Sequence, residues 1–175
     1  MNELQAITNE FRRYRTLAEK SFARLDEDAL NQLLAESTNS VAMLIRHLGG
    51  NLKSRFTDFL TEDGEKPWRD RDAEFAESRY LKEELDGVWS DGWRALDDAV
   101  SQLSPEDLDR TVQIRGVSLT VHEALARSVS HVAYHVGQIV LIARVLTKPG
   151  EWDSLSIPPG QSTAYNAQPL REKKP

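Results

Sequence analysis

At 175 residues, with 39% hydrophobic and 29% charged side chains, the chain is the size of one soluble domain and can bury a core without covalent staples. It contains no Cys, which removes disulfides, a Cys nucleophile and thiolate zinc sites, so a metal would have to be held by His, Asp or Glu. The 22 basic residues are interspersed among 28 acidic ones for a formal charge of −6, so a phosphate-backbone footprint is not indicated and nucleic acid is not an expected partner.

The N-terminal stretch MNELQAITNEFRR is polar and amphipathic and lacks the apolar centre of a signal peptide. No apolar run approaches the roughly 20 residues of a membrane helix, so a cytoplasmic protein without membrane contact is expected. Proline is absent from Met1 to Lys66 and from Glu106 to Lys148, which permits long helices in both stretches. Leu4, Ile7, Phe11, Tyr14, Ala18, Phe22 and Leu25 recur at steps of three and four, predicting a first helix that ends near Asp26. After Glu36-Ser37-Thr38-Asn39, any of which could cap a helix, the set Val41, Leu44, Ile45, Leu48, Leu52, Phe56 and Phe59 predicts a second. Thr61 to about Ala73 is dense in charge and carries Gly64 and Pro67, so it reads as a long loop.

A third helix is expected from about Ser78 to Leu103, with Leu81, Leu85, Val88, Trp89, Trp93, Leu96 and Val100 on its core side despite Gly87 and Gly92. Ser104-Pro105-Glu106-Asp107 stops it and can start a short turn. Thr111 to Val117 alternates like a strand but is short enough for a small hairpin at most. Thr120-Val121-His122-Glu123 is a capping box that opens a buried fourth helix running to Leu146, where Lys148-Pro149-Gly150 ends it. The expectation is an all-α four-helix bundle over residues 1–150, followed by a tail over 151–175 that is extended on the bundle or partly disordered.

In such bundles, sites are built from polar side chains pointing inward from facing helices. His131 and His135 are four apart on the fourth helix, so their imidazoles share a face and can bind one divalent ion at roughly 2.0–2.1 Å per bond. Solvent or backbone partners could satisfy the same rings. His47, between Leu44 and Leu48, should point at or beside the core. A third ligand and a core histidine hydrogen-bonded to a hydroxyl or carbonyl are both open readings of it. His122 falls in the first turn of the fourth helix and reads as an exposed or capping residue.

Asn51 lies one turn after His47 and could orient a ligand or a substrate. Ser128 and Gln138 flank the histidine pair at spacings of three, with Tyr134 beside it; each could equally face solvent. Arg55, Arg69 and Arg71 could grip an anionic substrate if the long loop folded over the bundle mouth, though exposed Arg in a charged loop is the ordinary case. Trp89 and Trp93 read as core.

These residues, together with the block HLGGNLKSRFTDFL at 47–60, DGEKPWR at 63–69 and SIPPGQS at 156–162, resemble the DinB/YfiT-like superfamily of bacterial four-helix bundles, which is regarded as metal-dependent. Within it the blocks are similar to a subgroup known as a domain of unknown function. The resemblance covers nearly the whole chain and implies His47, His131 and His135 as ligands of one divalent ion, zinc or nickel first and iron or manganese next, with an open position for water. Some relatives of that superfamily transfer a low-molecular-weight thiol onto an electrophile. The expected function is therefore a metal-dependent enzyme that activates a thiol or water toward a small-molecule substrate, with small-thiol S-transfer preferred. The alternatives are a hydrolase of a small substrate and a non-catalytic metal-stabilised binding bundle. Assembly as a homodimer is compatible with any of these.

Overall fold

The computed structural model describes residues 2–168. These are mostly helical, with six α-helices and one two-stranded sheet in the order α1 (Glu3–Phe22), α2 (Glu27–Asn31), α3 (Val41–Phe56), α4 (Lys82–Ser101), β1 (Thr111–Ile114), β2 (Val117–Thr120), α5 (Val121–Leu146) and α6 (Ser162–Ala167). The four long helices are those anticipated from the apolar periodicity; α2 and α6 were not anticipated. The last residues of the expected tail, 169–175, lie outside the described residues.

The helix ends differ from expectation for local reasons. The first helix stops at Phe22 because Asp26 is committed elsewhere: its Oδ1 accepts from the Ala29 amide at 2.9 Å and caps α2. Leu25 and Leu30 still reach the core from this corner. Ser40, rather than a residue of 36–39, caps α3, its hydroxyl accepting from the Met43 amide at 3.2 Å. That helix ends at Phe56 and not at Phe59, because Thr57 leaves the helical region and Asp58 takes a positive φ of 51°. Phe59 nevertheless packs against Phe56, with centroids 5.1 Å apart.

The loop after α3 is longer than expected and reaches Leu81, since Tyr80 is held by the Asn31 side-chain amide, which donates to the Tyr80 carbonyl and accepts from the Tyr80 amide, both at 2.9 Å. Glu84 then accepts from the Leu81 amide at 3.0 Å and starts α4 four residues later than Ser78. The expected capping box opens α5: Thr120 Oγ1 accepts from the Glu123 amide at 3.1 Å, and Glu123 accepts from the Thr120 amide at 2.8 Å. Ser104 and Asp107 form the same arrangement at a short 3-10 turn, Pro105–Asp109.

The hairpin is real. Ile114 pairs with Val117, leaving Arg115 and Gly116 as a two-residue loop with φ of 55° and 71°, the signs of a type I′ turn.

Phe11 meets Phe56 edge-on at 6.2 Å and Trp93 at 6.5 Å, tying α1 to both α3 and α4, while Trp89 meets Phe22 at 5.3 Å. The two tryptophans are core, as expected. Helices α3 and α4 pack backbone against backbone. A Cβ on Gly49 would sit 2.5 Å from the Val88 carbonyl oxygen, and one on Gly92 would sit 2.5 Å from the Gly49 carbonyl oxygen, so the two backbones touch where these glycines cross. By length and composition α5 could cross a membrane, a property shared by core helices of soluble proteins. Here it supplies ten buried residues, His135 and Ser128 among them.

Candidate metal centre

Three histidines meet between α3 and α5. His47 and His135 are buried and His131 is half-buried, and one nitrogen from each lies within 4.8 Å of the others. His47 Nε2 faces His131 Nε2 at 3.1 Å. Tetrahedral coordination at Zn–N bonds of 2.0–2.1 Å separates ligand nitrogens by about 3.3–3.4 Å, so this spacing fits a shared divalent ion after a shift of a few tenths of an ångström. It is also a hydrogen-bond distance between two ring nitrogens.

What turns His47 that way is a carboxylate absent from the sequence-derived site. Glu74, in a 3-10 turn (Ala73–Phe75), accepts from His47 Nδ1 at 2.9 Å through Oε2. Arg69 grips the same carboxylate through two N–H groups, Nε to Oε1 at 2.8 Å and Nη2 to Oε2 at 2.9 Å. Both side chains are almost fully enclosed, 8% exposed for Glu74 and 2% for Arg69. Burial alone would raise the Glu74 carboxyl, but hydrogen bonds from His47 and Arg69 and the Arg69 charge outweigh it and hold the group below its usual range. An ionised carboxylate only accepts, so His47 Nδ1 carries the proton. In the neutral imidazole, the Nε2 lone pair then points at His131.

The loop is fastened for this purpose. Arg46, next to His47, donates to the Ala73 carbonyl at 2.6 Å and to the Tyr80 hydroxyl, stacking over that ring at 4.2 Å. Gly50, one turn after His47, makes the room: a Cβ there would lie 2.2 Å from Glu74 Oε1. Phe75 lies against the His47 ring, centroids 4.6 Å apart.

Burial, followed by the nearby charge of the other histidines and of Arg69 and Arg55, pushes His131 down to about 3. Burial and His47 push His135 down to about 4, against the opposing effect of Gln138. Both rings are thus neutral at physiological pH, the form that binds metals. The Nδ1 atoms of His131 and His135 are buried without a hydrogen-bond partner.

The cluster opens into a cavity of about 360 Å³ whose walls include Asn51, Arg55, Ser128 and Tyr134. Asn51 and Ser128 are buried there, and Tyr134 is 66% exposed. Gln138 sits beside His135 without lining the cavity. Arg55 is at the wall, donating to Glu65 at 3.0 Å and to the Gly64 carbonyl. Arg69 differs from expectation, because its fork is held by Glu74 under the histidines instead of standing free for a substrate. His122 stands apart from the cluster, with its Nε2 3.0 Å from Glu3.

The model of the family described as a protein of unknown function (DUF1572) matches residues 1–161. The chain belongs to the DUF1572 family. No curated protein and no solved structure matches it. In this DUF1572 chain, Glu74 and its pairing with Arg69 were invisible to periodicity because both sit in an irregular loop with Asp70, Arg71 and Asp72, where one charged residue looks like the next. The available signal was Gly50, a glycine inside a helix at the third position after a buried histidine, which marks a close approach from outside the helix.

Proposed function

We propose that this chain is a DinB-like four-helix bundle of the cytoplasm and a metal-dependent enzyme, with His47, His131 and His135 holding one divalent ion, zinc or nickel first and iron or manganese next. The observation that carries the reading is the buried Arg69–Glu74–His47 chain aiming a ring nitrogen at His131, 3.1 Å away. A carboxylate that orients the outer nitrogen of a histidine is the usual support of a metal ligand. When bound, the ion would supply Lewis-acid chemistry that lowers the pKa of a thiol or of water.

The chain's own groups then divide the remaining work. Glu74 fixes the His47 proton on Nδ1. Asn51 and Ser128 offer hydrogen bonds from the buried wall, and Tyr134 offers one at the mouth. The apolar sides of Phe75 and Ile114 limit the access of water.

Among the described residues no carboxylate lines the cavity, and Glu74 is engaged beneath it, so none of their acidic side chains is placed to act as a general base on an attacking water. This favours a nucleophile that ionises readily by itself, and small-thiol transfer to an electrophile over hydrolysis. The test is elemental analysis of tag-free protein offered zinc, nickel, iron and manganese in turn. It is followed by incubation with glutathione, coenzyme A, bacillithiol or mycothiol and a generic electrophile, beside the His47→Ala variant. About one ion per chain and a thiol-conjugation rate lost in His47→Ala are expected. Retention of no ion overturns the metal reading, and ion-dependent hydrolysis of a small ester without thiol conjugation moves the assignment to a hydrolase.

A further inference from the structure

The chain carries a net negative charge, yet the cavity over the three histidines is lined by five arginines, Arg55, Arg69, Arg71, Arg115 and Arg127, and by no carboxylate. Their partners do not balance them. Arg55 and Arg115 share one carboxylate, both bonding Oε2 of Glu65 at 3.0 and 2.9 Å. Arg69 is matched by Glu74, but its Nη1 is buried without a hydrogen-bond partner. Arg71 lies 3.9 Å from the carboxylate of Asp72, its one ion-pair partner among the described residues. Arg127, exposed on α5 one turn before His131, makes no ion pair among the described residues. Five guanidinium groups thus stand against four carboxylates, Glu65, Glu74, Asp72 and the Asp63 that lies near Arg55, which leaves an excess of one positive charge at one concave opening.

The placement is directed. The Arg71 guanidinium stacks over the Phe75 ring at 5.3 Å, and that ring stacks on His47, so Arg71 caps the wall built from a candidate ligand. Arg127 and Tyr134 line the same cavity from α5. Guanidinium forks match planar oxyanions in two-point contacts, and a concave wall of one sign concentrates the opposite charge. A volume of about 360 Å³ is at the small end of ligand sites, too small for a macromolecular segment of any length.

We propose that this opening selects a small organic anion as substrate, a molecule bearing a carboxylate or phosphate group that Arg71 and Arg127 grip while its other end lies toward His47, His131 and His135. This rests on the metal-enzyme reading for the role of the histidines but not for the anion contact itself. Arg55 and Arg115, already sharing Glu65, raise the local potential without needing to touch the ligand.

The test is calorimetric titration of the full-length protein with succinate, with inorganic phosphate and with neutral succinamide, at low and high salt, as purified and again after chelation. The same titrations are run on Arg71→Gln, Arg127→Gln and, as a control remote from the cavity, Arg94→Gln, with the metal content of each measured. Succinate or phosphate should bind and succinamide should not. Affinity should fall about five- to tenfold in each of the first two variants, weaken with salt and stay unchanged in Arg94→Gln, the metal content being equal throughout. Preference between succinate and phosphate identifies the oxyanion. Absence of anion binding, equal binding of succinamide, or anion binding indifferent to both arginines overturns the proposal. Arginine-dependent binding to a protein that retains no metal would leave the anion site standing and the metal-enzyme reading refuted; a metal-loaded protein that ignores both anions would do the reverse.

Discussion

Replacing Glu74 by Gln tests the arrangement at its least exposed point. The substituted amide can still accept from His47 Nδ1, but its NH2 group opposes Arg69, whose side chain is only 2% exposed and would lose its counter-charge. Removing one partner of a buried pair in this way costs about 3–5 kcal/mol, against a typical total stability of about 5–15 kcal/mol. Arg69→Met should cost a similar amount for the converse reason. Because each single variant strands the other partner's charge and the double variant strands neither, the double variant should be less stable than wild type by roughly 2–3 kcal/mol less than the sum of the two. Urea unfolding of the four chelator-treated proteins measures this without any contribution from an ion. Metal affinity, measured separately by competition with a chromophoric chelator, should drop about 10- to 100-fold in Glu74→Gln as His47 loses its orientation. Additive penalties, or single penalties under about 1 kcal/mol, would show that the pair is not a coupled buried unit and would refute the reasoning.

Other outcomes follow from named contacts. His131→Ala should abolish retention of a divalent ion, whereas His122→Ala, which loses only its contact with Glu3, should leave elemental stoichiometry unchanged; a reversed ranking would place the site on the wrong face of α5. Gly50→Ala should destabilise by about 1–3 kcal/mol through its 2.2 Å conflict with Glu74, while Gly87→Ala, with open space around it, should stabilise by about 0.5–1 kcal/mol in the same urea assay. Asp63 accepts from the amides of Glu65, Arg115 and Gly116, bonds that hold its carboxyl below the ordinary 3.8, so its contribution is present above that value and lost as pH falls through the lower folded value. Hydrogen-exchange protection of the Arg115 and Gly116 amides should fall over that acid range, and should be low at every pH in Asp63→Ala, which has no side-chain acceptor.

The long helices and three histidines were readable because each rests on a repeat or on a polar residue in an apolar stripe. His47 stands out between Leu44 and Leu48 for that reason, and its burial follows from the same stripe. Glu74 does not stand out, and Arg69 reads as a substrate contact and not as a buried partner of Glu74, since their burial depends on where an irregular loop lands, and that is fixed by contacts distant in sequence, such as Gly64 N–H to the Gln113 carbonyl at 2.8 Å. The break at Phe22 was hidden for a different reason. Leu25 continues the apolar spacing of α1 even though it reaches the core after the helix has ended, so periodicity alone runs on past the true boundary. Helix α6 escaped notice because its six residues, Ser162–Ala167, bury nothing and so leave no apolar pattern.

The contacts of His47 also imply an order of assembly. Its partner Glu74 is 27 residues away along the chain and His131 is 84 away, so neither contact can form until large loops have closed. The i to i−4 bonds of α3 and α5, by comparison, form locally. The histidine cluster should therefore be native only after the folding transition state has passed, with substitutions there speeding unfolding while leaving the folding rate nearly untouched. A chain caught before that last closure would have its helices but no centre. In stopped-flow refolding, capture of an ion would accordingly trail the recovery of helical signal, and the time between the two phases would measure how long the loop that carries Glu74 takes to find its place under α3.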